Sequence, residues 1–145
     1  MALWSRALGY GVLVWLIPFA VAFALFPLKE SWRSLFESVM PVTGSLAVVW
    51  LAVSYFRKRK IEAGKIQVEN CNAGAALIRE GIQLGVLWMV ISILIDLPLM
   101  LTPPLNYTLQ EYVADIGLTY VMIPIITTGI AAATSSNERP PAGAS

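Results

Sequence analysis

Asp96 and Asp115 are the residues best placed to do chemistry in this chain, because each sits in a long run of otherwise uncharged side chains. Two carboxylates in one environment can share a proton, activate water or hold a small cation. The rest of the usual catalytic set is thin. The chain contains no histidine and one cysteine, Cys71. That removes bis-histidine haem ligation, His-based zinc sites, Ser-His-Asp and Cys-His catalysis, and any intrachain disulfide. No cofactor and no metal are expected, and Cys71 reads as an inert thiol.

The elements that must position these acids follow from composition. The 145 residues are 57% hydrophobic and 13% charged, with a mean hydropathy of +0.70, whereas a soluble domain carries about a quarter charged residues. Few side chains remain to cover a water-facing surface. The net charge of +1 suggests no nucleic-acid partner. A bilayer core of about 30 Å takes about 20 apolar residues in helical form, and residues 7–28, 38–56, 81–101 and 111–133 meet that need. Uninterrupted runs of this length favour helices over barrel strands. The expectation is an all-α integral membrane four-helix bundle, up-down antiparallel, formed by a single domain over residues 1–134. Residues 135–145, rich in Ser, Asn, Pro and Gly, are expected to be a disordered tail.

Lys and Arg set the orientation. With an even number of spans, one side holds Arg6, Arg57, Lys58, Arg59, Lys60, Lys65, Arg79 and Arg139, and the other only Lys29 and Arg33. Both termini are therefore expected in the cytoplasm, in an inner-membrane protein. Arg6, the apolar run after it and Ala22-Phe23-Ala24 imitate a cleavable signal peptide. The run exceeds the usual signal core, however, and Phe26 and Pro27 follow it closely, so it is expected to remain as the first span.

In that frame Asp96 lies five residues before the outer end of the third span, about 7 Å deep, and Asp115 four residues past Glu111 on the fourth, about 6 Å deep. The two acids are expected at one level, with Glu37 and Arg33 nearby at the start of the second span. Helical spacing puts Gly81, Gly85, Ser92 and Asp96 on one stripe, Tyr112, Asp115 and Thr119 on another, and Glu37, Pro41, Gly44, Ser45 and Ala52 on a third. Gly81, Gly85, Gly44 and Gly117 are the candidate helix-packing positions, since small residues let backbones approach in lipid. Pro98, Pro124 and Pro18 free the carbonyls of Leu94, Tyr120 and Val14, which can take a cation, a water or a hydroxyl such as Thr127 or Thr128. Trp32 in the first loop is an expected interface anchor. The run Arg57-Lys58-Arg59-Lys60 reads as a topology stop, with anionic lipid headgroups as its functional alternative.

Three functions compete. In the favoured one the acids, with Arg33, Tyr112 and Thr119, form a structural polar cluster in a non-enzymatic accessory or assembly subunit, whose partners are the lipid bilayer and another membrane subunit or a second copy. In the next, Asp96 and Asp115 serve a small cation- or proton-coupled transporter. The third is aspartic peptidase chemistry. Leu94-Ile95-Asp96 followed by Val113-Ala114-Asp115-Ile116 resembles the paired aspartates of the lipoprotein signal peptidases, small four-span enzymes with cytoplasmic termini. That likeness implies Asp96 and Asp115 as catalytic acids. Where the family has an Asn before its first Asp and an Arg after it, this chain has Leu94 and Leu97, and the Asn two residues before the second Asp is Val113. Over more of the chain, Ser34-Leu35-Phe36-Glu37-Ser38, Asp96-Leu97-Pro98, the stretch from Tyr112 to Tyr120 and Ile123-Pro124-Ile125-Ile126-Thr127 resemble a set of small, uncharacterised four-span prokaryotic membrane proteins. This resemblance implies a fold and a topology and no activity.

Overall fold

A computed structural model describes residues 2–28, 32–63, 73–103 and 108–136. These residues are almost wholly helical: α1 (Ala2–Leu25) with a 3-10 turn at Phe26–Leu28, α2 (Arg33–Ala63), α3 (Ala73–Leu101), α4 (Leu109–Asp115), a 3-10 segment at Gly117–Val121, and α5 (Met122–Ser136). Among the described residues four helical stretches are long and apolar enough to cross a membrane: Trp4–Leu25, Ser34–Arg59, Gly74–Leu101 and Leu109–Ser136. The shortest has 22 residues, about 33 Å at 1.5 Å per residue, which matches a hydrocarbon core.

The helices pack as a ring. α3 lies along α5 and α1, and α2 along α1 and α5. The core is made by Val14, Val48, Leu51, Ala52, Phe56, Leu84, Trp88, Ile123 and Ala131. Trp88 is wholly buried, and its indole N–H donates to the Ala7 carbonyl at 2.9 Å. That bond ties α3 to α1 and satisfies a donor that would otherwise be orphaned inside the bundle. Large apolar side chains such as Phe23, Leu46, Trp50, Leu94 and Ile125 stay exposed around the outside, as acyl chains would require.

Two differences from the sequence expectation matter for the site. The fourth apolar stretch is not one continuous α-helix. α4 begins with a capping box at Thr108 and Glu111 and ends at Asp115, after which the chain tightens to 3-10 geometry, with Thr119 N–H on the Ile116 carbonyl at 3.0 Å. Gly117 is a weak helix former and Pro124 cannot donate to Tyr120, so the backbone between them has little reason to hold α-helical geometry. The small-residue stripe of α2 holds only in part: Ala52 is wholly buried and Gly44 and Ser45 are half-buried, but Pro41 is exposed, and the bulkier Val48, Leu51, Tyr55 and Phe56 make up most of the inward face.

Ser135 and Ser136, expected in the tail, close α5 through hydroxyl bonds to the Ala132 and Ala133 carbonyls. Residues 137–145, Lys29, Lys65, Cys71 and Pro104 lie outside the described residues.

Candidate functional site

α3 presents Gly81, Leu84, Gly85, Trp88, Ser92 and Asp96 along its buried face, the stripe that its helical spacing dictates. Asp96 is only 3% exposed. Trp15 on α1 donates its indole N–H to Asp96 Oδ1 at 3.4 Å, and its ring stacks on Phe19 with centroids 4.6 Å apart. From the other side Tyr112 on α4 and Tyr120 in the 3-10 segment bring phenol hydroxyls up to the same carboxyl. Tyr112 Oη approaches without closing a hydrogen bond. It stays unpartnered among the described residues, as do Asp96 Oδ2 and Ser92 Oγ. Each such buried group costs about 1–3 kcal/mol when left unsatisfied, so Asp96 Oδ2 with two more unpartnered hydroxyls marks a polar patch in an apolar bundle.

The break after α4 decides which side chains reach Asp96. Had the helix continued, Thr119 would share the face of Tyr112; instead Thr119 is exposed and Tyr120 takes its place. Trp15 and Tyr120 carry no charge at neutral pH, so a search for ionisable groups in the spans passes them by. The usable signal was an aromatic side chain with a polar tip, which seeks a partner when buried. Asp115 ends α4, and Arg33 and Glu37 lie in the first turns of α2. The side chains of these three fall outside the described residues.

Packing between α3 and α5 runs through two of the expected glycines. A Cβ on Gly81 would stand 2.6 Å from Ala131 Cβ and 3.0 Å from the Thr127 carbonyl oxygen, and one on Gly85 would run into Thr127 Oγ1 and Pro124 Cα. Gly44 and Gly117 do not have this role. Gly44 has nothing within 4 Å of a Cβ position, and Gly117 would meet only Tyr112 and Val113 of its own turn at ordinary contact distance. A glycine unflagged by spacing, Gly11, does admit a neighbour, with Ile91 and Trp88 at 2.7 and 2.9 Å from its Cβ position. Thr127 and Thr128 do not seek the Tyr120 carbonyl. Thr127 Oγ1 donates to the Ile123 and Pro124 carbonyls, and Thr128 Oγ1 to that of Pro124 at 2.6 Å. One turn back is the nearest acceptor a helical threonine has.

The basic run at the end of α2 is divided in its contacts. Arg59 Nε pairs with Glu80 Oε1 of α3 at 3.1 Å, and the same oxygen accepts from the Tyr55 hydroxyl. Lys58 Nζ donates to the Tyr10 hydroxyl at 3.0 Å and lies 5.6 Å from the centroid of that ring. Arg57 is exposed, and the side chain of Lys60 lies outside the described residues. Among the described residues no group of three or more His, Cys, Asp or Glu is placed to hold a metal ion. No protein-family model, curated protein or solved structure matches the chain.

Proposed function

We propose that the chain is a multi-pass inner-membrane protein, up-down antiparallel with both termini in the cytoplasm, that acts as a non-enzymatic accessory or assembly subunit. In this reading the cluster around Asp96 locks the outer end of the bundle. One observation carries it: the single buried carboxyl of α3 is approached by neutral donors from three other segments, Trp15, Tyr112 and Tyr120. Such an arrangement suits holding helices together better than turnover. A catalytic carboxyl must meet substrate, and one 3% exposed offers a peptide no approach. The excess of Lys and Arg on one side of the four spans supports the orientation. A rigid bundle of this kind offers an apolar exterior on which another membrane subunit, or a second copy, can seat.

Affinity purification from native membranes in mild detergent tests the accessory role. A larger membrane partner in fixed ratio is expected, and a chain recovered only as a lone monomer contradicts the proposal. A second reading, cation- or proton-coupled transport, is favoured by the unpartnered oxygens of Asp96, Ser92 and Tyr112, which together offer three acceptor atoms. It predicts that Asp96→Asn folds normally in proteoliposomes and abolishes pH-driven flux.

A further inference from the structure

The strongest feature outside the Asp96 cluster lies at the other end of α3. Glu80 is sixteen residues before Asp96, about 24 Å along the helix. Beside it a cavity of ≈ 700 Å³ opens among α1, α2 and α3, a size typical of sites for small organic ligands. One part of its lining is apolar, with Trp4, Ala7, Leu84 and Leu87, and another is polar, with Arg79 and Gln83.

With Arg59 counted beside the lining, two cations face one acid. Glu80 is that acid, and Arg59 and Tyr55 already occupy its carboxylate. Arg79, exposed on the next position of α3, has no ion-pair partner among the described residues. An exposed guanidinium therefore lines the same groove as the buried Leu84 and half-buried Leu87, at a bundle end also carrying Arg57 and Lys58. In a chain read as spanning a membrane, an apolar groove beside unpaired positive charge suits an acidic lipid.

We propose that the groove binds one anionic phospholipid, its phosphate on Arg79 and its glycerol esters beside Gln83. The acyl chains run along Leu84 and Leu87 toward the bundle's middle. Guanidinium meets phosphate with two parallel N–H donors, and basic pockets between spans are a general way to recognise acidic lipid. Gln83, one turn after Arg79, supplies the neutral donors and acceptor that an ester region needs. This assigns recognition to Arg79 rather than to the Arg57–Lys60 run, two of whose members are engaged within the bundle. The inference rests on the proposed membrane placement.

Native mass spectrometry of the full chain in mild detergent, titrated with dioleoylphosphatidylglycerol or dioleoylphosphatidylcholine, tests it. One phosphatidylglycerol is expected to bind about tenfold more tightly than phosphatidylcholine, the factor that one charge-assisted contact supports. Arg79→Gln should erase that preference while Arg57→Gln keeps it. Ala76→Phe, which fills the groove without touching charge, should weaken both lipids. Equal preference in Arg79→Gln and the native chain, an equal loss in Arg57→Gln, or competition by inorganic phosphate as strong as by lipid each overturns the proposal. Recovery of the chain in the soluble fraction after carbonate washing would instead sink the membrane reading beneath it.

Discussion

Trp15 and Asp96, eighty-one positions apart in the chain, meet through an indole N–H on a buried carboxylate oxygen at 3.4 Å. This contact joins α1 to α3 at the level where Tyr112 and Tyr120 approach from α4 and the 3-10 segment after it. The bond is long for N–H···O, so its own contribution is modest. Its importance is positional, since it joins α1 to α3 at the buried carboxyl.

Trp15→Phe removes that donor while leaving a ring to stack on Phe19. We expect a loss of about 0.5–1.5 kcal/mol, read as a lower midpoint of thermal unfolding in detergent. An unchanged midpoint would mean that the indole N–H is satisfied elsewhere.

Gly85→Ala places a methyl group against Thr127 and Pro124. Pro124 Cα is backbone and cannot swing aside, so α3 and α5 must separate at a cost of roughly 1–3 kcal/mol. Gly44→Ala, whose Cβ meets open space, is expected to be neutral or stabilising by up to about 1 kcal/mol. Chemical unfolding of the two variants side by side checks the contrast, and similar behaviour of both would refute the close α3–α5 seam.

Thr108→Ala removes the side chain that accepts from Glu111 N–H, and with it the capping box of α4. A seven-residue helix has few other bonds to fall back on. The cost should be about 0.5–2 kcal/mol, seen as faster hydrogen exchange of the α4 amides while those of α3 stay protected. Equal protection of α4 in both proteins would show that tertiary contacts alone hold it.

Arg59→Ala breaks the pair with Glu80, whose side chains are 37% and 26% exposed. Solvent screens such a pair, so the expected loss is about 0–1 kcal/mol. A larger drop in thermal midpoint would mark the pair as a true lock between α2 and α3.

The four long apolar helices were readable because charge-free runs of about twenty residues have few other uses. The polar face of α3 was readable too, since Gly81, Gly85, Ser92 and Asp96 contrast with the Leu, Ile and Val around them. The face of α2 was readable only in part, since Ala52 is wholly buried as its spacing suggests while Pro41 is exposed. In a helix apolar all round, outward and inward positions differ little in type, so the bulky Val48, Leu51 and Phe56 of the buried face do not stand out beside Pro41 and Gly44. Thr119 was misplaced for another reason. Periodicity carries a helical phase only as far as the helix runs, and the 3-10 segment from Gly117 resets it and turns Tyr120 toward Asp96.

The central claim is that Asp96 holds the bundle as the acceptor on which Trp15, Tyr120 and, without closing a hydrogen bond, Tyr112 converge from three other segments. Thermal unfolding of Asp96→Leu, with Asp96→Asn beside it, tests this most directly. Leucine fits the volume but leaves Trp15, Tyr112 and Tyr120 facing hydrocarbon, so a loss of about 1–3 kcal/mol or more is predicted, with Asn, which retains an acceptor, falling between. An Asp96→Leu protein as stable as the native chain would contradict the account.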